Sequence, residues 1–122
     1  MLVIFSVINF SVLIFLFFSE SDKSYGSTSN AFIFSLRNNE GLGPFKSMVN
    51  NPSRAIYKSS YYGPIFGAGH DIFIADNING ISHSRSTFGV SYSVPSGVEN
   101  SHTILAGTQI FAPDEVEVFY LD

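Results

Sequence analysis

The sequence predicts a mainly β protein, a partial antiparallel β-sandwich preceded by an apolar N-terminal helix. Short apolar or alternating segments recur along the chain and are separated by glycine, proline and asparagine, which is the pattern of strands joined by turns. The 122 residues include 10 glycines and 5 prolines, a composition that favours turns over long helices. Beyond residue 18, no ten-residue window shows the 3.6-residue period of an amphipathic helix. Two packed layers of strands are therefore expected.

Residues 1–18 form an apolar segment for which we expect a helix. From Leu2 to Phe18 the chain carries no charge, and only three polar residues interrupt the run: Ser6, Asn9 and Ser11. A helix of this length reaches about 26 Å, slightly less than the ~30 Å hydrocarbon core of a bilayer. Membrane insertion through residues 2–18, as an anchor or an uncleaved signal, is one interpretation, although no Lys or Arg precedes the run. A mispredicted exon, foreign to a cytoplasmic domain, is the other.

Residues 19–30 are polar, rich in serine and without periodicity, so they predict a linker. The β domain proper is expected over residues 31–122. It opens with residues 31–36, which are apolar on both faces, as in a strand buried inside a sandwich. A long loop is predicted over residues 38–52, and a second short strand over residues 54–59.

The second half of the chain alternates predicted strands with turns. Strands are expected at residues 71–76, 87–92, 103–111 and 115–121, with a polar surface loop at residues 77–86. Six positions are interpreted as structural turn residues, because glycine accepts positive φ or close backbone approach and proline fixes a turn. They are Gly63, Pro64, Gly67, Gly69, Gly89 and Gly107.

Composition and motif spacing exclude several classes of function. The absence of cysteine rules out disulfides, thiolate catalysis and cysteine zinc sites, and the net charge of −4, with scattered basic residues, argues against nucleic acid as a partner. His70, His83 and His102 have no metal-ligand spacing, so no metal is expected. Residues 67–69 lack the third glycine and the Lys-Ser/Thr of a phosphate-binding loop, so no cofactor is expected either.

Two sets of polar residues remain as candidate sites. His70 and Asp71 are adjacent and resemble a general base with its orienting carboxylate, but neighbours along a strand point to opposite faces, which favours a structural pair. Asp114, Glu115 and Glu117 crowd the C-terminal end. They are either solvated charges that guard an edge strand or a surface that, with residues 77–86, meets a basic partner.

Four motifs in the same order resemble the TLDc domain, the module of the oxidation-resistance proteins. Residues 31–36, AFIFSL, are similar to the aromatic "FLFSL" strand of the family, and residues 61–74 to its glycine-rich turn and following strand. Residues 87–89, TFG, and residues 116–119, VEVF, are similar to its "TFGN" and "EVEVW" elements. The resemblance covers about residues 25–122. Because the complete α+β family domain is longer at its front, the resemblance implies an N-terminally truncated or replaced domain.

The resemblance implies a non-catalytic protein-interaction module linked to oxidative-stress protection. For some members it also implies binding to the peripheral sector of the vacuolar proton pump. Two alternatives stay open: a weak enzyme, a hydrolase or a peroxide-handling protein, centred on His70 and Asp71 with Glu115, and an inactive truncated gene product.

Overall fold

The computed structural model describes residues 2–7, 10–15, 24–27, 29–58, 63, 65–75, 83–113 and 115–119. These residues form two antiparallel sheets, and the only helices among them are a single-turn α-helix, α1 (Ser101–Ile104), and one 3₁₀ turn at Pro52–Arg54. The predicted mainly β fold with antiparallel strands is therefore confirmed.

The first sheet has five strands in the spatial order β11-β1-β2-β4-β5. Their bounds are β1 (Leu2–Val7), β2 (Phe10–Phe15), β4 (Phe32–Arg37), β5 (Phe45–Met48) and β11 (Glu115–Phe119). In β4, Ile33 and Ser35 are buried, whereas Phe32 and Phe34 are only half-buried. This alternation follows from the two-residue period of a strand and gives the sheet an inner and an outer face.

The N-terminal helix expected over the apolar segment is not observed. Residues 2–7 and 10–15 are strands that pair with each other, and β1 pairs further with β11 and β2 with β4. The physical reason is that Val, Ile and Phe fit a pleated strand well, and the neighbouring strands supply partners for the backbone hydrogen bonds. Among the described residues, no helix has the length and apolar character needed to cross a membrane.

The second sheet has six short strands in the order β10-β9-β8-β7-β6-β3. Their bounds are β3 (Ser24–Gly26), β6 (Ile56–Lys58), β7 (Ile65–Phe66), β8 (Ile72–Phe73), β9 (Ser84–Ser86) and β10 (Ile110–Phe111). Strands β6 to β9 follow one another as an antiparallel meander. Each is only two or three residues long, so the turns between them determine much of the shape.

The hydrophobic core joins the two sheets. Ile33 from the first sheet lies in one cluster with Ile56, Phe66 and Ile72 from the second. The connecting segments add further buried side chains to it, among them Phe88, Tyr92, Ile104 and Leu105. Fully burying an aliphatic or aromatic side chain of this size contributes about 1.5–3 kcal/mol, so this shared cluster holds the two sheets face to face.

Several segments differ from the structure predicted for them. Residues 87–92 were expected to form a strand but make a turn, because Gly89 adopts a φ of +119° that a regular strand cannot contain. Strand β9 lies instead at the end of the predicted surface loop, and β5 lies inside the predicted long loop. Residues 103–111 divide between α1 and β10, since the Asn100 side chain accepts a hydrogen bond from the N–H of His102 and caps the helix.

Candidate functional site

The carboxylate of Asp71 is completely buried, and backbone N–H groups surround it. Oδ2 accepts hydrogen bonds from Gly89 (3.0 Å), Val90 (2.9 Å) and Tyr92 (3.1 Å). The N–H of Ser91 donates to both oxygens, at 2.9 Å to Oδ1 and 3.1 Å to Oδ2. Four consecutive amides thus form a concave nest of partial positive charge, which is a recurrent way to hold an anion.

The turn before β8 places Asp71 in this nest. Residues 67–70 form the turn, and Gly67 enters it with a φ of +87°. A Cβ atom at position 67 would overlap Oδ1 of Asp71, so the carboxylate can approach only because residue 67 is glycine. Gly69 is similarly close to Val90, whose Cγ2 would lie 2.6 Å from an added Cβ.

His70 is turned away from Asp71. It is exposed, it adopts a φ of +57°, and its ring centroid lies 5.9 Å from that of Phe73. Its carbonyl oxygen accepts hydrogen bonds from the hydroxyl of Thr87 (2.8 Å) and from the N–H of Thr87 (3.3 Å). Within the described part of the chain, the imidazole makes no hydrogen bond to the carboxylate of Asp71. These hydrogen bonds to the His70 carbonyl therefore connect the turn to the segment that follows β9.

Burial governs the electrostatics of Asp71 and Tyr92. Burial raises the pKa of the Asp71 carboxyl above its ordinary value, while the hydrogen bonds from the four amides act in the opposite direction. Tyr92 is fully buried, and its hydroxyl donates to the carbonyl of Ala55 at 2.7 Å. Burial and the nearby charge of Asp71 together raise the pKa of Tyr92 well above that of an exposed tyrosine.

The segment that surrounds Asp71 also contacts the other sheet, and we call residues 89–93 the clasp. Val49, at the end of β5, forms an antiparallel bridge with Tyr92. The N–H of Asn50 donates to the carbonyl of Ser91 (2.8 Å), and the N–H of Ser93 donates to the carbonyl of Met48 (3.1 Å). Asp71 therefore holds a segment that ties the β7–β8 turn of one sheet to β5 of the other.

The remaining predicted site residues lie elsewhere. Glu115 and Glu117 belong to β11, at the edge of the five-stranded sheet, whereas Asp71 precedes β8 of the six-stranded sheet. Asp114 and Pro64 lie outside the described residues. Asp71 and Glu115 thus belong to different sheets.

The other predicted turn glycines are placed as follows. A Cβ atom at Gly63 would overlap the carbonyl oxygen of Ile74, so the backbone approaches closely there. Gly89 and Gly107 have φ values of +119° and +85°, a region that glycine accepts without strain.

The sequence did not predict that the Asp71 carboxylate accepts hydrogen bonds from the backbone N–H groups of residues 89–92. Gly89 is visible in the sequence as a turn residue, but it follows Asp71 by 18 positions and no local pattern links the two. The cluster of Arg54 with Tyr25 and Tyr57 was missed for the same reason. Tyr25 and Tyr57 meet through the pairing of β3 with β6, and Arg54, in the 3₁₀ turn before β6, lies over the Tyr25 ring. In the described ranges, no group of three or more His, Cys, Asp or Glu residues is arranged to hold a metal ion.

Comparison with known proteins places the chain in a family. The TLDc domain model matches residues 11–122, from β2 to the C-terminal end, and so includes the glycine-rich turn, Asp71 and the clasp. No curated protein and no solved structure matches the chain significantly. Because the match extends over most of the 122 residues, the chain belongs to the TLDc domain family.

Proposed function

We propose that this chain is a non-catalytic TLDc module that acts by docking onto a protein partner. The observation that carries the proposal is the state of Asp71, the strongest candidate for a catalytic carboxylate. Its oxygens accept hydrogen bonds from four backbone amides, and it is 0% exposed to solvent. A general base needs hydrogen-bond access to the proton that it removes, and this carboxylate has none.

The acidic strand at the edge of the five-stranded sheet supports a docking surface. β11 carries Glu115 and Glu117, and along one side it pairs with β1. Charges on an edge strand discourage random strand pairing, and they also steer association with a surface of opposite sign. We infer that Asp114, Glu115 and Glu117 face a basic partner surface.

For the finer role we propose what the resemblance to the TLDc family implies. We propose that the partner belongs to the peripheral sector of the vacuolar proton pump, and that the module contributes to oxidative-stress protection through that association. The acidic strand is consistent with such docking because charge complementarity requires no cavity and no cofactor.

Charge reversal on β11 tests this proposal. We expect the full chain with Glu115→Lys and Glu117→Lys to lose capture of the purified peripheral sector in a pull-down, because two attractive charges become repulsive. The matched control is Glu99→Lys, at an exposed position outside β11, which should retain capture. Equal capture by all three proteins would contradict the assigned surface.

Replacement of His70 distinguishes docking from catalysis. We expect His70→Ala to leave partner capture, and the background rates of ester and peroxide turnover, unchanged, because the imidazole is exposed and is not hydrogen-bonded to Asp71. A folded His70→Ala protein that lost a measurable turnover of the unmodified chain would establish the enzyme alternative and end the non-catalytic proposal.

A further inference from the structure

A cluster of Arg54, Tyr25 and Tyr57 lies at the β3 edge of the six-stranded sheet. Tyr25 and Tyr57 are paired across β3 and β6, and their ring centroids are 5.2 Å apart with an interplanar angle of 63°. The Cζ atom of Arg54 lies 4.5 Å from the centroid of the Tyr25 ring. Ile56, the residue before Tyr57, is buried in the core, so the alternation of β6 puts Tyr57 on the outer face.

The polar groups of this cluster are available for a ligand. Arg54 is exposed, and both tyrosines are half-buried. Among the described residues, no carboxylate pairs with the Arg54 guanidinium, and neither tyrosine hydroxyl has a hydrogen-bond partner. A guanidinium offers five N–H donors in a planar fork that matches a carboxylate.

β3 is an edge strand, but it is short. It is the last strand of its sheet, and in the described ranges no other strand pairs with its outer side. Gly26 is buried, so this three-residue edge does not offer a run of free backbone groups to an added strand. The side chains of the cluster are therefore the groups that a ligand can reach.

We propose that the Arg54–Tyr25–Tyr57 cluster docks an acidic, extended segment of a partner protein. One of its carboxylates binds the Arg54 guanidinium in a bidentate pair. Charge complementarity identifies the occupant, because Arg54 is exposed and basic and no acidic side chain of the described residues neutralises it. Tyrosine and arginine are also the residue types that contribute most binding energy at protein interfaces.

The stacking of Arg54 on Tyr25 prepares the site for this ligand. A guanidinium held over an aromatic ring has fewer conformations to lose on binding, so less of the binding free energy is spent on ordering it. This surface has the opposite charge to the β11 strand and belongs to the other sheet. The inference is therefore independent of the proposed acidic docking strand.

A direct binding measurement tests the proposal. The probe is a fluorescein-labelled peptide in which Glu and Val alternate, and its anisotropy is followed as the full chain is added. We expect saturable binding that weakens as ionic strength rises. Arg54→Ala should weaken it about tenfold, and Arg54→Lys should fall between the two, because lysine keeps the charge but loses the fork.

Matched variants and peptides separate the components of binding. Arg37→Ala removes another exposed arginine, on β4, and should leave the affinity unchanged. A peptide with Gln in place of Glu should bind about tenfold more weakly. Thermal melts of each variant verify that the fold is retained.

Three results would overturn the proposal. The first is binding that is equally weak for the acidic and the Gln peptides. The second is an Arg54→Ala protein that is as tight as the unmodified chain. The third is Arg54-dependent self-association in sedimentation, which would make a second copy the occupant. A negative result in this binding measurement leaves the charge-reversal test on β11 unaffected, so each proposal can be contradicted without the other.

Discussion

At Asp71 a carboxylate is buried, and four backbone N–H groups donate hydrogen bonds to it, with no cationic partner among the described residues. A buried charge is tolerated only when it is fully hydrogen-bonded, so the side chain and the amides of residues 89–92 depend on each other. The carboxylate is an acceptor at both oxygens, whereas an amide side chain presents N–H donors at one of them.

Asp71→Asn is expected to destabilise the protein by about 3 kcal/mol. The new amide group would face backbone N–H donors and leave some of them unsatisfied in the interior. Urea unfolding followed by circular dichroism measures the loss. Glu40→Gln is the matched control, because the half-buried Glu40 carboxylate also accepts from consecutive amides, those of Glu99 (2.6 Å) and Asn100 (3.1 Å). Its cost should be about 1 kcal/mol or less, and equal losses would contradict the importance of burial.

Ionisation of Tyr92 is expected to limit the stability of the protein at alkaline pH. Its folded-state pKa is raised above the ordinary value near 10, so its contribution to stability is fully present below pH 10 and declines at higher pH. We expect the melting temperature to fall above about pH 10 and Tyr92→Phe to reduce that fall, at a cost of about 1 kcal/mol at neutral pH for the lost hydrogen bond to Ala55. A decline of the same steepness in Tyr92→Phe would show that another group is responsible.

At the scale of elements, short turns determine how the second sheet is built. The turn at residues 67–70 needs glycine at position 67 for two separate reasons, a φ of +87° and the space taken by the Asp71 carboxylate. Gly97 has a similar φ of +92°, but a Cβ there would meet only Cδ2 of Leu42, at 3.9 Å. Substitutions at these two glycines therefore distinguish the cost of backbone strain from the cost of steric overlap.

Gly67→Ala should therefore cost considerably more than Gly97→Ala. Both substitutions force alanine into the left-handed region, at about 1 kcal/mol. Gly67→Ala must in addition displace the Asp71 carboxylate, which brings its total to about 3 kcal/mol or more. Chemical denaturation of the two variants side by side measures the difference, and equal costs would show that the turn relaxes without disturbing Asp71.

Two serines on the inner face of the five-stranded sheet make a second comparison. Ser35 and Ser47 are both buried, but the hydroxyl of Ser35 donates to the carbonyl of Arg37 at 2.8 Å, whereas that of Ser47 has no hydrogen-bond partner among the described residues. We expect Ser47→Ala to be neutral or stabilising by about 1 kcal/mol, since it removes an unsatisfied polar group. Ser35→Ala should destabilise by about 1 kcal/mol. Thermal melts of the two variants measure these changes in stability. A destabilised Ser47→Ala protein would reveal a hydrogen-bond partner for the Ser47 hydroxyl.

At the scale of the whole molecule, the contacts of the clasp with both sheets lead us to expect that the sheets unfold as one cooperative unit. It holds the Asp71 carboxylate of one sheet and bonds to the backbone at Met48 and Asn50 beside the other. Loss of the hydrogen bonds to Asp71 should therefore lower the local stability of both sheets and not only that of the clasp.

Hydrogen exchange tests this coupling. In Asp71→Asn, we expect faster amide exchange in β5 and in β8, because the clasp contacts both regions. Gly97→Ala, which lies outside the clasp, should leave the protection of these strands close to that of the unmodified chain. Faster exchange confined to residues 89–92 would show that the sheets are held together by the core alone.

Local pattern determined those parts of the fold whose evidence lies within a few residues. The short apolar run at residues 31–36 and the two-residue alternation at residues 115–121 predicted strands that the structure contains at 32–37 and 115–119, and the glycines at 67 and 89 predicted turns. The strand predicted at residues 87–92 was wrong, because the apolar residues there contact Val49 and the core without forming a strand.

The sequence by itself determined the mainly β class, most turns and, through the order of its motifs, the TLDc family. Only the tertiary structure decided that the N-terminal apolar residues pair as strands, that Asp71 is enclosed by the clasp, and that Arg54 stacks on Tyr25. The physical reason is range: turn geometry and alternation are properties of neighbouring residues, whereas strand partners and the hydrogen bonds of a buried carboxylate depend on groups far apart in the chain.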